Sequence, residues 1–129
     1  MKVLVLSDGV FTEREIDNTL EALQEIVGGY IEIPFISHTL SENGIDIIIN
    51  EEGKMLDECK PEIIMINKET QTILDVIMGN CIFASHDEEG ETTSLSEEQI
   101  KIVKDVFKLD VILSYEDSRE KRIVKGLLR

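Results

Sequence analysis

Tryptophan is absent from this 129-residue chain, tyrosine occurs twice and phenylalanine four times. Whatever core forms must therefore rest on Ile, Leu and Val. Proline occurs only twice and cysteine twice, at Cys59 and Cys81. The two thiols lack C-x-x-C spacing, so buried, reduced cysteines are expected. No apolar run approaches the ~18 residues that a membrane-spanning helix needs. The opening Met1–Leu6 is too short an apolar stretch for a signal peptide, and Ser7-Asp8-Gly9 ends it. A cytoplasmic protein is expected.

Positive charge is scarce as well: 13 basic side chains face 27 acidic ones, a net of −14. The imbalance is uneven. Residues 119–129 carry Arg119, Lys121, Arg122, Lys125 and Arg129 against Glu120 alone, a local +4, which leaves the first 118 residues at −18. A body of that sign repels phosphate backbones, so direct nucleic-acid binding is disfavoured unless the basic tail does it alone. Cationic partners, including DNA-binding proteins, would be attracted. A solvated acidic surface without any partner is the plainer alternative.

The apolar content of 42% and a length that buries roughly two-thirds of the unfolded surface support a single packed domain. Met1–Leu6 reads as a buried strand. Thr12 and Glu15 form a capping box, with Phe11 and Ile16 placed as a hydrophobic staple, and Ile16, Leu20, Leu23, Ile26 and Val27 follow helical spacing. A helix starting after Thr12 and stopped by Gly28 is expected. Alternation over Tyr30–Ile36 reads as a strand that Pro34 confines to an edge or a bend. Residues 37–44 read as a polar loop. Ile45–Asn50 reads as a strand leading into Asn50-Glu51-Glu52-Gly53-Lys54. There Asn suits a type I turn and Gly the left-handed position after it, which gives a central β-hairpin returning through Lys54–Leu56.

Further on, Ile63–Ile66 reads as strand or buried turn, Lys68–Val76 as a short helix, Gly79-Asn80 as a turn and Cys81–Ala84 as a strand. Ser96 and Gln99 form a second capping box, stapled by Leu95 and Ile100, with Val103, Val106 and Phe107 continuing the apolar face. Val111–Leu113 reads as a last strand, and Ser118–Leu128 as a basic amphipathic tail helix that Gly126 weakens. The expected fold is α+β: a small, mostly antiparallel sheet with a central hairpin, two main helices and the tail helix. Residues 1–109 form one domain and 110–129 an extension.

Three pieces, Val27-Gly28-Gly29-Tyr30-Ile31-Glu32, Asn50-Glu51-Glu52-Gly53-Lys54 and Asp75-Val76-Ile77-Met78-Gly79-Asn80, occur in an order and spacing that resembles domain of unknown function 3846. The similarity spans roughly residues 18–107. That family is common in bacteriophages, prophages and plasmids, so the resemblance implies a mobile-element origin in a bacterial host. It brings no assigned reaction with it.

The candidate chemistry is sparse. Glu51, Glu52 and Lys54 could form a polar contact edge at the turn, or simply solvate it. Asn50, Lys54 and Asn80 are the donors that an anionic ligand would need. Gly28-Gly29 ends a helix rather than starting one, so it lacks the dipole of a phosphate cradle. Gly28, Gly29, Gly53 and Gly79 are expected to serve turns. Cys81, His86 and Asp87 do not supply a tetrahedral metal set. Nothing in the sequence places an acid beside His38, and a nucleophilic pairing of Cys81 with His38 or His86 is a minor alternative. Asp87–Glu91 lacks the alternating acids of a calcium loop. No cofactor, metal or catalytic constellation is expected.

The leading expectation is a non-enzymatic accessory protein that binds a basic or DNA-handling protein, as a counter-defence inhibitor would. The alternative is a module that sequesters a signalling nucleotide. The +4 tail is expected to dock on the acidic body of its own chain or of a second copy, the latter giving a homodimer.

Overall fold

Two-residue alternation organises the main sheet. In the computed structural model, which describes residues 1–67, 70, 72–107, 111–116 and 119–124 (the last two segments by their backbone pairing alone), Val3 and Val5 of β1 (Lys2–Ser7) face one side and Leu4 and Leu6 the other. The same division runs through β4 (Ile45–Asn50) and β7 (Cys81–His86). Ile48, Ile82 and Ala84 join Val3 and Val5 under helix α1 (Leu20–Val27), which contributes Leu23 and Val27. Ile45, Ile47, Ile49, Cys81 and Phe83 join Leu4 and Leu6 on the opposite face. That face is covered by α2 (His38–Glu42), α3 (Glu97–Val106) and the hairpin of β5 (Pro61–Asn67) and β6 (Thr72–Met78). A sheet covered on both faces needs near-continuous apolar strands, and Val3–Leu6 and Cys81–Ala84 supply them.

The strand order is β2-β1-β7-β4-β3, with β2 spanning Val10–Glu15 and β3 only Ile31–Glu32; β8 (Thr92–Thr93) pairs with β7. Every pairing is antiparallel. The α+β class with a small antiparallel sheet is therefore the architecture. Among the described residues no helix is long and apolar enough to cross a membrane. Three of the four phenylalanines, Phe11, Phe83 and Phe107, meet pairwise with ring centroids 5.6–6.3 Å apart. They join β2, β7 and α3 in geometry favourable for aromatic pairs.

Several local expectations are corrected. Thr12 does not cap a helix. Asp8 and Gly9 both take left-handed backbone angles, φ 51° and 74°, and form the two-residue turn that returns the chain as β2 along the whole of β1. The first helix starts later, with Thr19 accepting the Ala22 N–H at 3.2 Å. It ends as expected at Gly28, φ 86°.

Residues 37–44 are not all loop, because Ser37 caps the short α2. The Asn50–Lys54 stretch is not the tip of a hairpin. β4 pairs with β7 and β3 instead, and the chain continues into a 3₁₀ turn, Gly53–Met55. Residues 72–76, expected as helix, lie in β6, paired to β5 through two register shifts. In the tail, Arg119–Val124 is not helical: it forms β10, paired antiparallel to β9 (Val111–Glu116). The β-branched pair Ile123-Val124 suits a strand better than a helix that must carry Gly126. The ends of that expected helix, residue 118 and residues 125–128, lie outside the described residues. α3 follows its reading, with both halves of the Ser96–Gln99 capping box formed and Leu95 and Ile100 buried.

Candidate functional site

The three motif pieces converge. Asn50 ends β4 with only 4% of its surface exposed. Its Oδ1 accepts the Glu52 N–H at 2.8 Å, and its Nδ2 donates to the Val27 carbonyl at 3.1 Å. The first bond is the Asx turn that the sequence suggests. The second satisfies a carbonyl left without an intrahelical partner at the end of α1. Asn80 acts in parallel, its Nδ2 donating to the Ile26 carbonyl at 3.1 Å.

The glycines fit around these amides. Gly28 and Gly29 both donate to the Gln24 carbonyl, and a Cβ on Gly29 would lie 3.0 Å from Asn50 Nδ2. Gly53 does not have the left-handed angle expected of it. It is needed because a Cβ there would lie 2.5 Å from the Met78 carbonyl oxygen. Gly79 is left-handed at φ 90°, with Cys59 packed against it.

Beside this junction lies a groove of about 210 Å³, lined among others by Glu32, Pro34, Glu51, Lys54, Asp75 and Met78. The Lys54 ammonium is ion-paired with Asp75. Its hydrogen bond holds the Asp75 carboxyl below the ordinary value, helped by the Val76 N–H. Glu51 and Glu52 are exposed. The side-chain donors Asn50, Asn80 and Lys54 each make a contact within the protein, whereas the carboxylates of Glu32, Glu51 and Glu52 face solvent. The candidate residues come together, but as a junction with one cation and an acidic rim. Large apolar side chains accompany that rim: Tyr30, Ile33, Phe35 and Met55 are all more than half exposed.

The remaining polar candidates are dispersed. His86 Nδ1 lies 3.0 Å from Asp46 Oδ2, and the His38 ring stands edge-on to Phe35. Burial and the charge of Glu62 push the Cys81 thiol up, and its Sγ lies 3.6 Å from the Gly79 carbonyl. Among the described residues no three His, Cys, Asp or Glu side chains converge where a metal ion could sit.

Glu62 escaped the sequence reading. It is 3% exposed and takes the Asp8 and Gly9 N–H groups at 3.0 and 2.8 Å. Its carboxylate clasps the left-handed turn between β1 and β2.

A family model described as "Domain of unknown function (DUF3846)" matches residues 1–108. It takes in the β1–β2 hairpin as well as the three motif pieces. No curated protein and no solved structure matches the chain.

Proposed function

The chain belongs to the domain of unknown function family DUF3846, and from that premise we propose that it acts by binding rather than by catalysis. It serves as an accessory protein of a phage or other mobile element in the bacterial cytoplasm. Its acidic face engages a basic, DNA-handling protein and occupies the surface that DNA would take, as a counter-defence inhibitor does. The observation that carries this reading is the state of the junction. The cationic and amide donors at the motif each hold a partner within the fold, while Glu32, Glu51 and Glu52 stand exposed, as do Tyr30, Ile33 and Phe35 of the neighbouring segment. Carboxylates around exposed apolar groups suit a protein surface rich in Lys and Arg, through charge steering and apolar contact together.

A sequestered nucleotide draws less support. The groove of about 210 Å³ is smaller than ordinary small-ligand pockets of ~300–1,000 Å³, and its mean field repels phosphate.

The test is a pull-down at low ionic strength from host lysate, repeated with duplex DNA as competitor and with rising salt. A basic protein should be retained, released by DNA and by salt, and lost from the triple variant Glu32→Lys, Glu51→Lys, Glu52→Lys. Retention of that protein by the triple variant, or no retained protein at low salt, refutes the proposal.

A further inference from the structure

Pro34 decides where the sheet stops, and its position opens a cleft. β3 pairs Ile31 with Asn50 and Glu32 with Ile49, and the Glu51 N–H donates to the Tyr30 carbonyl at 2.9 Å. Bonded and non-bonded pairs alternate along an antiparallel ladder, so the next bonding position after Glu32 would set Pro34 against Ile47. Proline has no N–H to give, and the strand ends after Glu32. The departing segment and α2 then stand off from β4 around a cavity of about 200 Å³. Its lining combines Ile33, Phe35 and Leu40 with the polar side chains of Ser37, Ser41 and Asp46. Two of these, Ile33 and Phe35, remain 51% and 60% exposed.

The stretch of chain that lines this cleft carries fixed charge of one sign. From residue 15 to residue 53 the chain has nine acids and not a single Lys or Arg. That stretch contains α1, β3, α2, β4 and the Asn50 turn, and so the whole lining of the cleft. Glu32 and Glu42 are exposed on the elements that form it.

We infer that the cleft receives an aliphatic side chain from a basic segment of a partner protein, a Leu-, Ile- or Met-type residue with Lys or Arg on both sides. The apolar part of the lining takes the side chain, and the flanking cations meet Glu32, Glu42 and Glu51. This rests on the binding function proposed above and names the chemistry of the segment bound.

Two synthetic heptapeptides test it, Lys-Lys-Leu-Lys-Leu-Lys-Lys and Lys-Lys-Ser-Lys-Ser-Lys-Lys, titrated into the full chain at low ionic strength. The Leu peptide should bind at least about tenfold more tightly, since burying one branched aliphatic group is worth that much, and should shift the methyl resonances of Leu40, Ile45 and Ile47. In the double variant Ile33→Ser, Phe35→Ser, changed only at exposed positions, that advantage should disappear while the salt-dependent binding common to both peptides persists. Equal binding of the two peptides to the unaltered chain, or an advantage that survives in the double variant, overturns the cleft assignment and leaves the acidic-surface function standing. Failure of both peptides to bind at low salt overturns the two together.

Discussion

Replacing Asn50 separates a ligand contact from a structural clasp. Both ends of its amide are used inside the protein, toward the Val27 carbonyl and the Glu52 N–H, and the residue is 4% exposed. In Asn50→Ala each of those backbone groups loses its partner where water has little access, at about 1–3 kcal/mol apiece. A total near 3 kcal/mol is expected. With an unfolding entropy of about 2.1 cal/mol/K per residue, a chain of 129 residues loses about 10 °C in Tm.

Asn50→Asp sharpens the test. A buried carboxylate would face the Val27 carbonyl with no proton to donate, so its folded-state pKa rises above the unfolded value. Its penalty is present at neutral pH and shrinks as pH falls through the folded value, where the protonated acid can donate to Val27. The assay is urea unfolding of the three proteins between pH 7 and pH 4. The clasp is refuted if Asn50→Ala keeps the parental midpoint, or if the gap between Asn50→Asp and the parent does not narrow on acidification.

Other expectations follow from neighbouring contacts. Gly53→Ala places a Cβ 2.5 Å from the Met78 carbonyl oxygen and should cost about 1–3 kcal/mol by chemical denaturation; a neutral result would mean the turn and β6 yield freely. Ser96→Ala removes one half of the α3 capping box and should cost about 1 kcal/mol, read from the urea midpoint at unchanged slope. Because Lys54 depresses the Asp75 pKa, the stability from that pair is present above the unfolded value of ~4 and is lost as pH falls through the folded one. Any Tm deficit of Lys54→Met at pH 7 should therefore vanish in strong acid. Burial raises both thiols, with Glu58 adding to the effect on Cys59. A thiol-reactive dye at pH 8 should label the half-buried Cys59 slowly, and the fully buried Cys81 only when the chain unfolds.

What was legible in the sequence was what a few neighbouring residues determine. The Ser96–Gln99 box, the Leu95–Ile100 staple and the Gly28 stop all lie within a helical turn or two of what they control, and each formed as read. The Thr12–Glu15 box was equally local yet lost, because Asp8-Gly9 commits the following residues to a six-position ladder with β1. Tertiary pairing outweighs a cap worth about 1 kcal/mol. β4 was recognisable as a strand, but its partners are Ile31–Glu32 on one side and the strand starting at Cys81 on the other, with the β5–β6 hairpin between β4 and β7 in sequence. No local signal specifies pairing across such a gap, so the turn after Asn50 was given a hairpin it does not make. Glu62 is illegible for the same reason: its two bonded amides lie more than fifty residues away.

The motif residues divide by what the fold demands of them. Gly29 makes room for the Asn50 amide, Gly53 for the Met78 carbonyl, and Asn50 and Asn80 close the end of α1. Lys54 ties the turn to β6 through Asp75. Each of these would be required of the junction whether or not it met a partner, and substituting any of them disturbs stability before it disturbs binding. Glu51 and Glu52 are different, since the turn uses their backbone but, among the described residues, their exposed carboxylates support no neighbour that explains them. Ile33 and Phe35 are likewise more than half exposed where Pro34 has already ended the strand, with the His38 ring edge-on to Phe35. Four side chains that the architecture does not need, two acidic and two apolar, therefore share one edge of the sheet. Substituting them should leave the unfolding midpoint nearly unchanged and abolish association, the converse of what Asn50→Ala does. That opposition in two assays separates the surface from the scaffold that presents it.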